Sequence, residues 1–274
     1  MSIIYHYIHN VCYWHGNDRA QNLLEHAKAI KSLEPSGIKN LFIVSHMVDN
    51  QDQIGDGLVH KVLEQRGSNL DVCIWPQYNS GGTVRSMWTV HKELQKHKIS
   101  SKYFGTWEDD YIFSSNLFLN EVEIYLQRGY LFVGALWTEP LITQAGEFGY
   151  DGASGHSYDD MVKKGYKYLP PPGPNPNRHV PWLNCISPSI KEEDYRWCED
   201  PYVMHFENLN KLESLIGEFT LANPNEKYEH ALHGINHGEV GFPTRIHLAG
   251  GKFFGLKFND HYQLLEGRSL IDHA

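Results

Sequence analysis

The sequence predicts an α/β fold in which an open, mainly parallel central sheet is flanked by helices. Short apolar runs rich in aromatic and β-branched residues alternate with amphipathic segments from the start of the chain to Asp110. That alternation is typical of parallel strands joined by right-handed helical crossovers. The chain has 274 residues, 41% of them hydrophobic, which is enough for a sizeable core.

The predicted elements follow one another with few interruptions. Glycines after the helices and Asn or Asp before the first helix supply stop and start signals. Strands are predicted at 3–11, 40–45, 69–75, 103–107, 130–137 and 202–206. Helices are predicted at 17–32, 53–65, 116–127 and 207–219, and another follows the turn at 79–82, where apolar residues recur at helical spacing from Val84 to Leu94.

One stretch, 138–181, has a different composition. It is rich in Gly, Pro, Tyr and Asp and includes PPPGPNPN at 170–177. Such a long irregular piece is either an active-site loop or a passive surface excursion. We therefore interpret the chain as a single domain, 1–274, with a first half at 1–137, a loop-rich insertion at 138–181 and a second half at 182–274.

Composition excludes some functions. The net charge is −9 without a Lys/Arg block, which argues against a nucleic acid as the main partner. No apolar run approaches the ~18–20 residues of a transmembrane helix, and no signal peptide precedes the first strand. The four cysteines, at 12, 73, 185 and 198, include no C-x-x-C pair and are interpreted as reduced structural thiols. These features predict a cytoplasmic protein, or a chain that lacks its anchor.

The residues Glu108-Asp109-Asp110 directly follow the strand predicted at 103–107. Three adjacent carboxylates repel one another, and a hard divalent cation such as Mg²⁺ or Mn²⁺ removes that penalty. The alternative is a solvated acidic turn. A preceding apolar strand and a glycine turn one helix upstream, Asn79 to Gly82, favour the metal site. We expect the triplet to lie where the strand runs out into solvent.

The segment NSGGTVRSMWTVHKELQKHKISSKYFGTWEDD resembles the central part of nucleotide-sugar glycosyltransferases with the GT-A fold, especially family 2. In that family an N-x-G turn opens a helix with an early Arg, and the next strand ends in a metal-binding D-x-D. EDDYIFSSNLFL also resembles the EDD variant of N-acetylglucosaminyltransferases. The resemblance implies a GT-A-like (Rossmann-like) sheet, a UDP- or GDP-sugar donor, and Mn²⁺ or Mg²⁺ held by Asp110 and Glu108. It implies donor contacts from Asn79, Gly81, Arg85, Glu108 and Asp109.

Further donor and metal contacts follow only from the resemblance. The family holds the donor base with a residue after the first strand, here His9 or Asn10, and an acidic residue after the second, here Asp49. The first strand lacks the family's P-x-Y/F-N ending, and Asp49 could equally cap a helix. A late histidine often joins the metal in GT-A enzymes, which makes His261 a candidate, with His247 behind it.

The segment GEVGFPTRIHLAGGKFFGL is similar to the family pattern E-D-V-x-L-x-x-R-x-x-x-A-G. The positions in register are Val240, Arg245, Ala249 and Gly250. The aspartate of that pattern is the family's general base, and Glu239 stands in its place. Glu199-Asp200 is a literal E-D and the rival base, but it precedes a strand and helix instead of the R-x-x-x-A-G tail. The resemblance covers roughly 1–137 and 200–258.

Together these features predict a metal-dependent, inverting glycosyltransferase. It would move a hexosyl or pentosyl unit from a nucleotide-diphosphate sugar to a hydroxyl of a glycan or glycoconjugate, with Glu239 as base. A sugar-nucleotide nucleotidyltransferase would share the sheet and metal, but HNVCYWHGNDRA lacks its Gly-rich signature. A metallohydrolase could use His230, His233 and His237 with Glu239, although 17 histidines make chance clusters common. A catalytically silent sugar-binding protein is the fourth hypothesis.

Overall fold

The computed structural model describes residues 3–14, 18–48, 57–65, 70–78, 82–136, 150–151, 196, 198–218 and 238–265. Several predictions lie outside these residues. They are the donor contacts at Asp49, Asn79 and Gly81, the histidines 230, 233 and 237, and all of 138–181 except the short strand at 150–151.

The described strands form an eight-stranded, mainly parallel sheet in the order β3-β2-β1-β4-β8-β6-β9-β7, and a separate pair, β5 with β10. β3, β2, β1 and β4 run parallel, whereas β8 is antiparallel to both β4 and β6. The predicted α/β class is confirmed. The strands are β1 Ile3–Trp14, β2 Leu41–Val48, β3 Asp71–Tyr78, β4 Ile99–Glu108, β5 Tyr111–Phe113, β6 Phe132–Leu136, β7 Tyr150–Asp151, β8 Glu199–His205, β9 Phe253–Lys257 and β10 Tyr262–Leu264.

Helices cover both faces of the sheet. Those described are α1 Asn22–Ser32, α2 Gly57–Glu64, α3 Gly82–Lys96, α4 Phe118–Leu126, α5 Phe206–Ile216, α6 Gly238–Leu248 and α7 Phe258–His261, with a 3-10 helix at Asp18–Gln21. Apolar side chains of α1, α2 and α4 pack in one core cluster, and those of α3, α5 and α6 in the other. We call these the α1 face and the α3 face of the sheet.

Strand alternation explains how one sequence supplies both clusters. In β1, Tyr7, Val11 and Tyr13 belong to the α1-face cluster and Ile8 to the α3-face cluster. Successive side chains of a strand point to opposite faces, so a strand covered on both sides is apolar throughout. The near-continuous apolar runs of the sequence reflect this two-sided burial.

Strand ends differ from the predictions by a few residues. β1 continues to Trp14 instead of ending at Val11, and β4 begins at Ile99 instead of Tyr103. The reason is pairing with a neighbouring strand: Tyr13 and Trp14 continue the pairing of β1 with β2, and the start of β4 pairs with the start of β1. Backbone hydrogen bonds to a neighbour keep a strand end extended where side-chain pattern alone predicts a turn.

The C-terminal part of the described chain returns to the end of β4. β10 pairs antiparallel with β5, and the Leu265 amide donates to the Asp110 carbonyl at 2.8 Å. We call Asp109-Asp110 the acidic turn. The hydrogen bond from Leu265 joins this turn to the end of β10. None of the described cysteines, Cys12, Cys73 and Cys198, forms a disulfide. None of the described helices has the length and apolar character needed to cross a bilayer.

Candidate active site

The acidic triplet lies at the carboxyl edge of the central parallel strands. Glu108 ends β4, and Asp109-Asp110 form the turn into β5. Parallel strands end at one edge of the sheet, and ligands of open α/β sheets bind outside that edge. The triplet therefore occupies the position at which this fold class binds ligands.

Asp109 and Asp110 are fully buried, which differs from the expectation that they run out into solvent. Nη1 of Arg19 lies 3.1 Å from Oδ1 of Asp109 and 2.8 Å from Oδ2 of Asp110. The Arg19 side chain is itself only 5% exposed. A buried carboxylate is tolerated when a charged partner contacts it, which explains how the fold accommodates the turn.

Arg19 reaches the turn because the segment after β1 is anchored in the core. Arg19 belongs to the 3-10 helix Asp18–Gln21. Ala20 of this helix is buried together with Leu23 of α1 in the α1-face cluster. β1 and β4 are neighbours, so the residues following β1 lie beside the end of β4. The sequence pattern carries no signal for Arg19, since 90 positions separate it from Asp109 and the contact depends on strand order.

Glu108 lies on the other face. By strand alternation it shares a side with Phe104 and Thr106, which pack toward α3. Burial is the main cause that raises the pKa of the Cys12 thiol, and the charges of Asp200 and Glu108 raise it further. The triplet therefore presents one carboxylate to the α3 face and directs Asp109 to the α1 face.

A fourth carboxylate, Asp200 of β8, joins this edge. The Tyr111 hydroxyl donates to Oδ1 of Asp200 at 2.7 Å. Burial and then the charges of Asp200, Glu108 and Asp110 raise the pKa of Tyr111 well above its usual value. We call these four carboxylates, Glu108, Asp109, Asp110 and Asp200, the acidic edge. The sequence showed Asp200 only as part of a rival base, because its neighbour in space, β4, is distant in sequence.

A buried polar network fixes the sheet beneath the acidic edge. The Asn10 amide donates to Ser86 Oγ at 2.9 Å and Thr106 Oγ1 at 3.1 Å, and it accepts from Ser45 Oγ at 2.6 Å. Gln77 donates to the same Ser45 oxygen at 2.7 Å. The network joins β1, β2, β3, β4 and α3, and it places Asn10 in the core instead of against a donor.

His9 is also enclosed in the core. It is fully buried, its Nδ1 lies 3.0 Å from the Tyr7 hydroxyl, and its ring stacks on Trp107 with centroids 5.2 Å apart. β1 continues five residues beyond it. The prediction that His9 contacts the donor base does not fit this arrangement, because the strand was expected to end two residues after it.

Arg85 is the fourth residue of α3, which begins at Gly82 with a positive φ of 57°. Its side chain is half-buried. Amides at a helix N-terminus favour anions, and Arg adds a full positive charge to that end of the helix. The start of α3 follows β3 at the same edge of the sheet as the triplet, as the resemblance implied.

The structure does not bring His261 to the acidic turn. Its Nδ1 lies 3.0 Å from Oε2 of Glu121. In the β5–β10 pair the residue beside Asp110 is Leu265, four positions from His261, which corresponds to roughly 13 Å of strand. The expected metal contact from His261 would require this pair of strands to separate.

Glu239 is the second residue of α6, and the side chains described on that helix pack against the α3 face. The rest of the motif has a structural function. Arg245 Nη2 donates to the carbonyls of Ile216 at 2.8 Å and Glu218 at 3.1 Å, which ties α6 to the end of α5. Gly250 ends the helix with φ 79°, and a Cβ on Gly251 would lie 2.7 Å from Ile246. The motif therefore fixes where α6 ends and holds the helix against α5.

The carboxylates of the acidic edge are hard oxygen ligands of the kind that Mg²⁺ and Mn²⁺ prefer. They fit the metal in chemical type and in position at the sheet edge. Among the described residues, however, no three His, Cys, Asp or Glu side chains converge on one point. A metal bound here would therefore need water or phosphate oxygens, and a change at Arg19, to complete its coordination.

Comparisons with known proteins give a limited result. No family model matches the chain, and no curated protein matches it. Among solved structures, the chain is similar to S. aureus TarS, with a TM-score of 0.40 and 10% identity over 94% of this chain and 36% of that one. A structure of TarS 1–349 in complex with UDP-GlcNAc gives a TM-score of 0.46 and 10% identity over 98% of this chain and 61% of that one. This chain spans less than two thirds of either. Similarity of this degree does not assign a function.

Proposed function

We propose that the protein is a metal-dependent glycosyltransferase that moves a sugar from a nucleotide-diphosphate donor to an acceptor hydroxyl. The observation that carries the proposal is the acidic edge: four carboxylates gathered at the end of central strand β4, three of them consecutive in sequence. Such a group stabilises no fold by itself, since its members repel one another. A site that receives a divalent cation with a diphosphate explains it.

The donor would lie outside the carboxyl edge of β1 to β4. Glu108 and Asp110 would hold Mn²⁺ or Mg²⁺, which when bound supplies electrostatic stabilisation to the departing diphosphate. Arg85 and the start of α3, which lie at the same edge of the sheet, would attract the phosphates. A UDP- or GDP-sugar is the donor class that this arrangement fits, and a glycan or glycoconjugate is the proposed acceptor.

The acceptor would be activated from the α6 side. The acceptor oxygen forms a bond to the anomeric carbon, the bond from that carbon to the diphosphate oxygen breaks, and the acceptor proton goes to the Glu239 carboxylate. Attack from the face opposite the leaving group inverts the anomeric centre. α6 is suited to hold a base because Arg245 and the Gly250-Gly251 ending fix the helix against α5.

The test is donor binding measured by thermal shift, with a panel of UDP- and GDP-sugars in Mn²⁺ or in EDTA. Binding to the folded state raises the melting temperature, so the right donor should produce the largest rise, and only with metal. Asp110→Asn keeps the side-chain size and should remove that metal-dependent rise. Asp260→Asn, at an exposed position of α7, is the matched control and should leave it unchanged.

Two results would contradict the proposal. One is a wild-type protein whose melting temperature responds to no nucleotide sugar in either condition. The other is an Asp110→Asn variant that binds the donor with the wild-type affinity and metal dependence.

A further inference from the structure

We propose that Arg19 is the resident counter-cation of Asp109 and Asp110 and competes with the divalent metal for Asp110. Metal binding would then require the guanidinium to leave the turn. This inference rests on the proposed function, since it assumes that the acidic edge is the metal site. It concerns a residue outside every motif that the resemblance covers.

The geometry supports competition directly. A single nitrogen, Nη1 of Arg19, contacts both carboxylates, at 3.1 Å and 2.8 Å. A divalent cation held by Asp110 would need to approach the carboxylate oxygens to about 2.1 Å. Nη1 of Arg19 occupies the space beside Asp110 Oδ2 that faces Asp109, so the guanidinium would obstruct a metal at that oxygen.

Electrostatics lead to the same conclusion. All three side chains are buried, with exposed fractions of 5%, 0% and 0%, so water screens their charges poorly. A guanidinium and a dication within a few ångströms would repel strongly. Conversely, loss of the guanidinium without a replacement leaves two adjacent carboxylates buried, which is strongly destabilising. Arg19 therefore allows the metal-free protein to fold, at the cost of weaker metal binding.

The short helix that carries Arg19 makes the exchange feasible. Asp18–Gln21 is one 3-10 turn, and its Ala20 is anchored in the core. The long Arg side chain can swing away while the backbone stays in place.

The first experiment measures Mn²⁺ affinity from the EPR signal of the free ion, without any donor. Arg19→Gln removes the charge and should bind Mn²⁺ at least about tenfold more tightly than wild type, since a unit charge a few ångströms from a buried ion has at least that effect. Lys28→Gln removes a charge from the exposed side of α1, where Lys28 is 60% exposed, and should leave the affinity within about twofold. Arg19→Lys keeps the charge and should bind Mn²⁺ more weakly than Arg19→Gln.

Thermal unfolding adds a readout that does not depend on activity. In EDTA, Arg19→Gln should melt well below wild type, and Mn²⁺ should raise its melting temperature more than that of wild type. A variant that folds only with Mn²⁺ would support the exchange. Equal Mn²⁺ affinity and an equal Mn²⁺-induced shift in Arg19→Gln and wild type would overturn it.

If Arg19→Gln does not fold even with Mn²⁺, the competition between Arg19 and the metal can be tested on the wild-type protein. Modification of Arg19 by phenylglyoxal, read by mass spectrometry, should increase when Mn²⁺ binds, because the guanidinium leaves a position in which its side chain is only 5% exposed. Unchanged or slower modification of Arg19 would contradict the inference. Asp110→Asn separates the two proposals: if it binds Mn²⁺ as wild type does, the proposed metal site is wrong. If it loses Mn²⁺ while Arg19→Gln binds at wild-type affinity, only the competition is wrong.

Discussion

Nε2 of His9 lies 2.9 Å from Nδ1 of His26, and both imidazoles are fully buried. The contact joins the middle of β1 to α1. Trp107 donates to the Tyr7 hydroxyl at 2.8 Å, and Tyr7 lies 3.0 Å from His9. A line of hydrogen-bonded side chains thus runs through the α1-face core, with His26 at the end near Asp109 and Asp110. Its histidines are neutral in the folded protein, because burial lowers the pKa of both.

The His26 imidazole should make the protein sensitive to mild acid. Burial lowers the pKa of His26 to about 4, although the Asp109 backbone and the Asp110 carboxylate act in the opposite direction. The pKa of His26 is 6.5 in the unfolded chain and about 4 in the folded protein. Between pH 6.5 and pH 4 the unfolded chain therefore binds a proton that the folded protein does not, and the free energy of unfolding falls as the pH falls. The expected loss from His26 is about 2 kcal/mol between pH 7.5 and pH 5. Urea unfolding of wild type and His26→Gln at both pH values should show a smaller pH effect in the variant.

Glu123 supplies a control for that measurement. Burial acts to raise its pKa, but hydrogen bonds from Tyr103, His205 and Gln127 dominate and lower it to about 2. Its contribution to stability is present above pH 4.5 and is lost as the pH falls from 4.5 to 2. Glu123→Gln should therefore retain the loss between pH 7.5 and 5. A His26→Gln variant with the wild-type loss in that interval would contradict the assignment to His26.

Gly105 of β4 allows the Tyr7 and Trp107 side chains to meet. A Cβ on Gly105 would lie 2.2 Å from the Tyr7 hydroxyl and 2.9 Å from Nε1 of Trp107. Gly105→Ala should reduce the free energy of unfolding by about 1–3 kcal/mol, since an overpacked core must shift to make room. Gly57→Ala is the control, because Gly57 begins α2 and has no atom within 4 Å of an added Cβ. Chemical denaturation checks both, and equal stability of Gly105→Ala and wild type would refute the steric argument.

Glu239→Gln should retain donor binding and lose transfer. The substitution keeps the size of the side chain and removes its basicity, and positioned base catalysis contributes ~10²–10⁴-fold to the rate. The measurement is the turnover of the donor identified in the thermal-shift panel, together with its affinity. Glu207→Gln, on the exposed start of α5, is the control. Asp200→Asn is unsuitable as a neutral control because Asp200 contacts Tyr111 within the acidic edge. Full transfer activity in Glu239→Gln would show that another carboxylate is the base.

Much of the fold follows from local pattern. Apolar runs and amphipathic segments of the right length predict the order of strands and helices, because side-chain periodicity is a property of neighbours along the chain. The position of the acidic triplet at a strand end could be read in the same way, whereas the helix Gly238–Leu248 was not predicted. These features are set within about fifteen residues of sequence.

Contacts across the fold decided the rest. The sequence indicated neither that Arg19 neutralises Asp109 and Asp110 nor that Asp200 joins Tyr111, because both contacts follow from the neighbours of β4 in the sheet, β1 and β8. His9 is in the core instead of at the edge because β1 pairs with β4 as far as Cys12 and with β2 as far as Trp14. Strand order and register are properties of the whole sheet, because they depend on how apolar side chains from distant segments are buried together. The sequence therefore determined most of the strands and helices as far as α5, and the tertiary structure decided which charges meet.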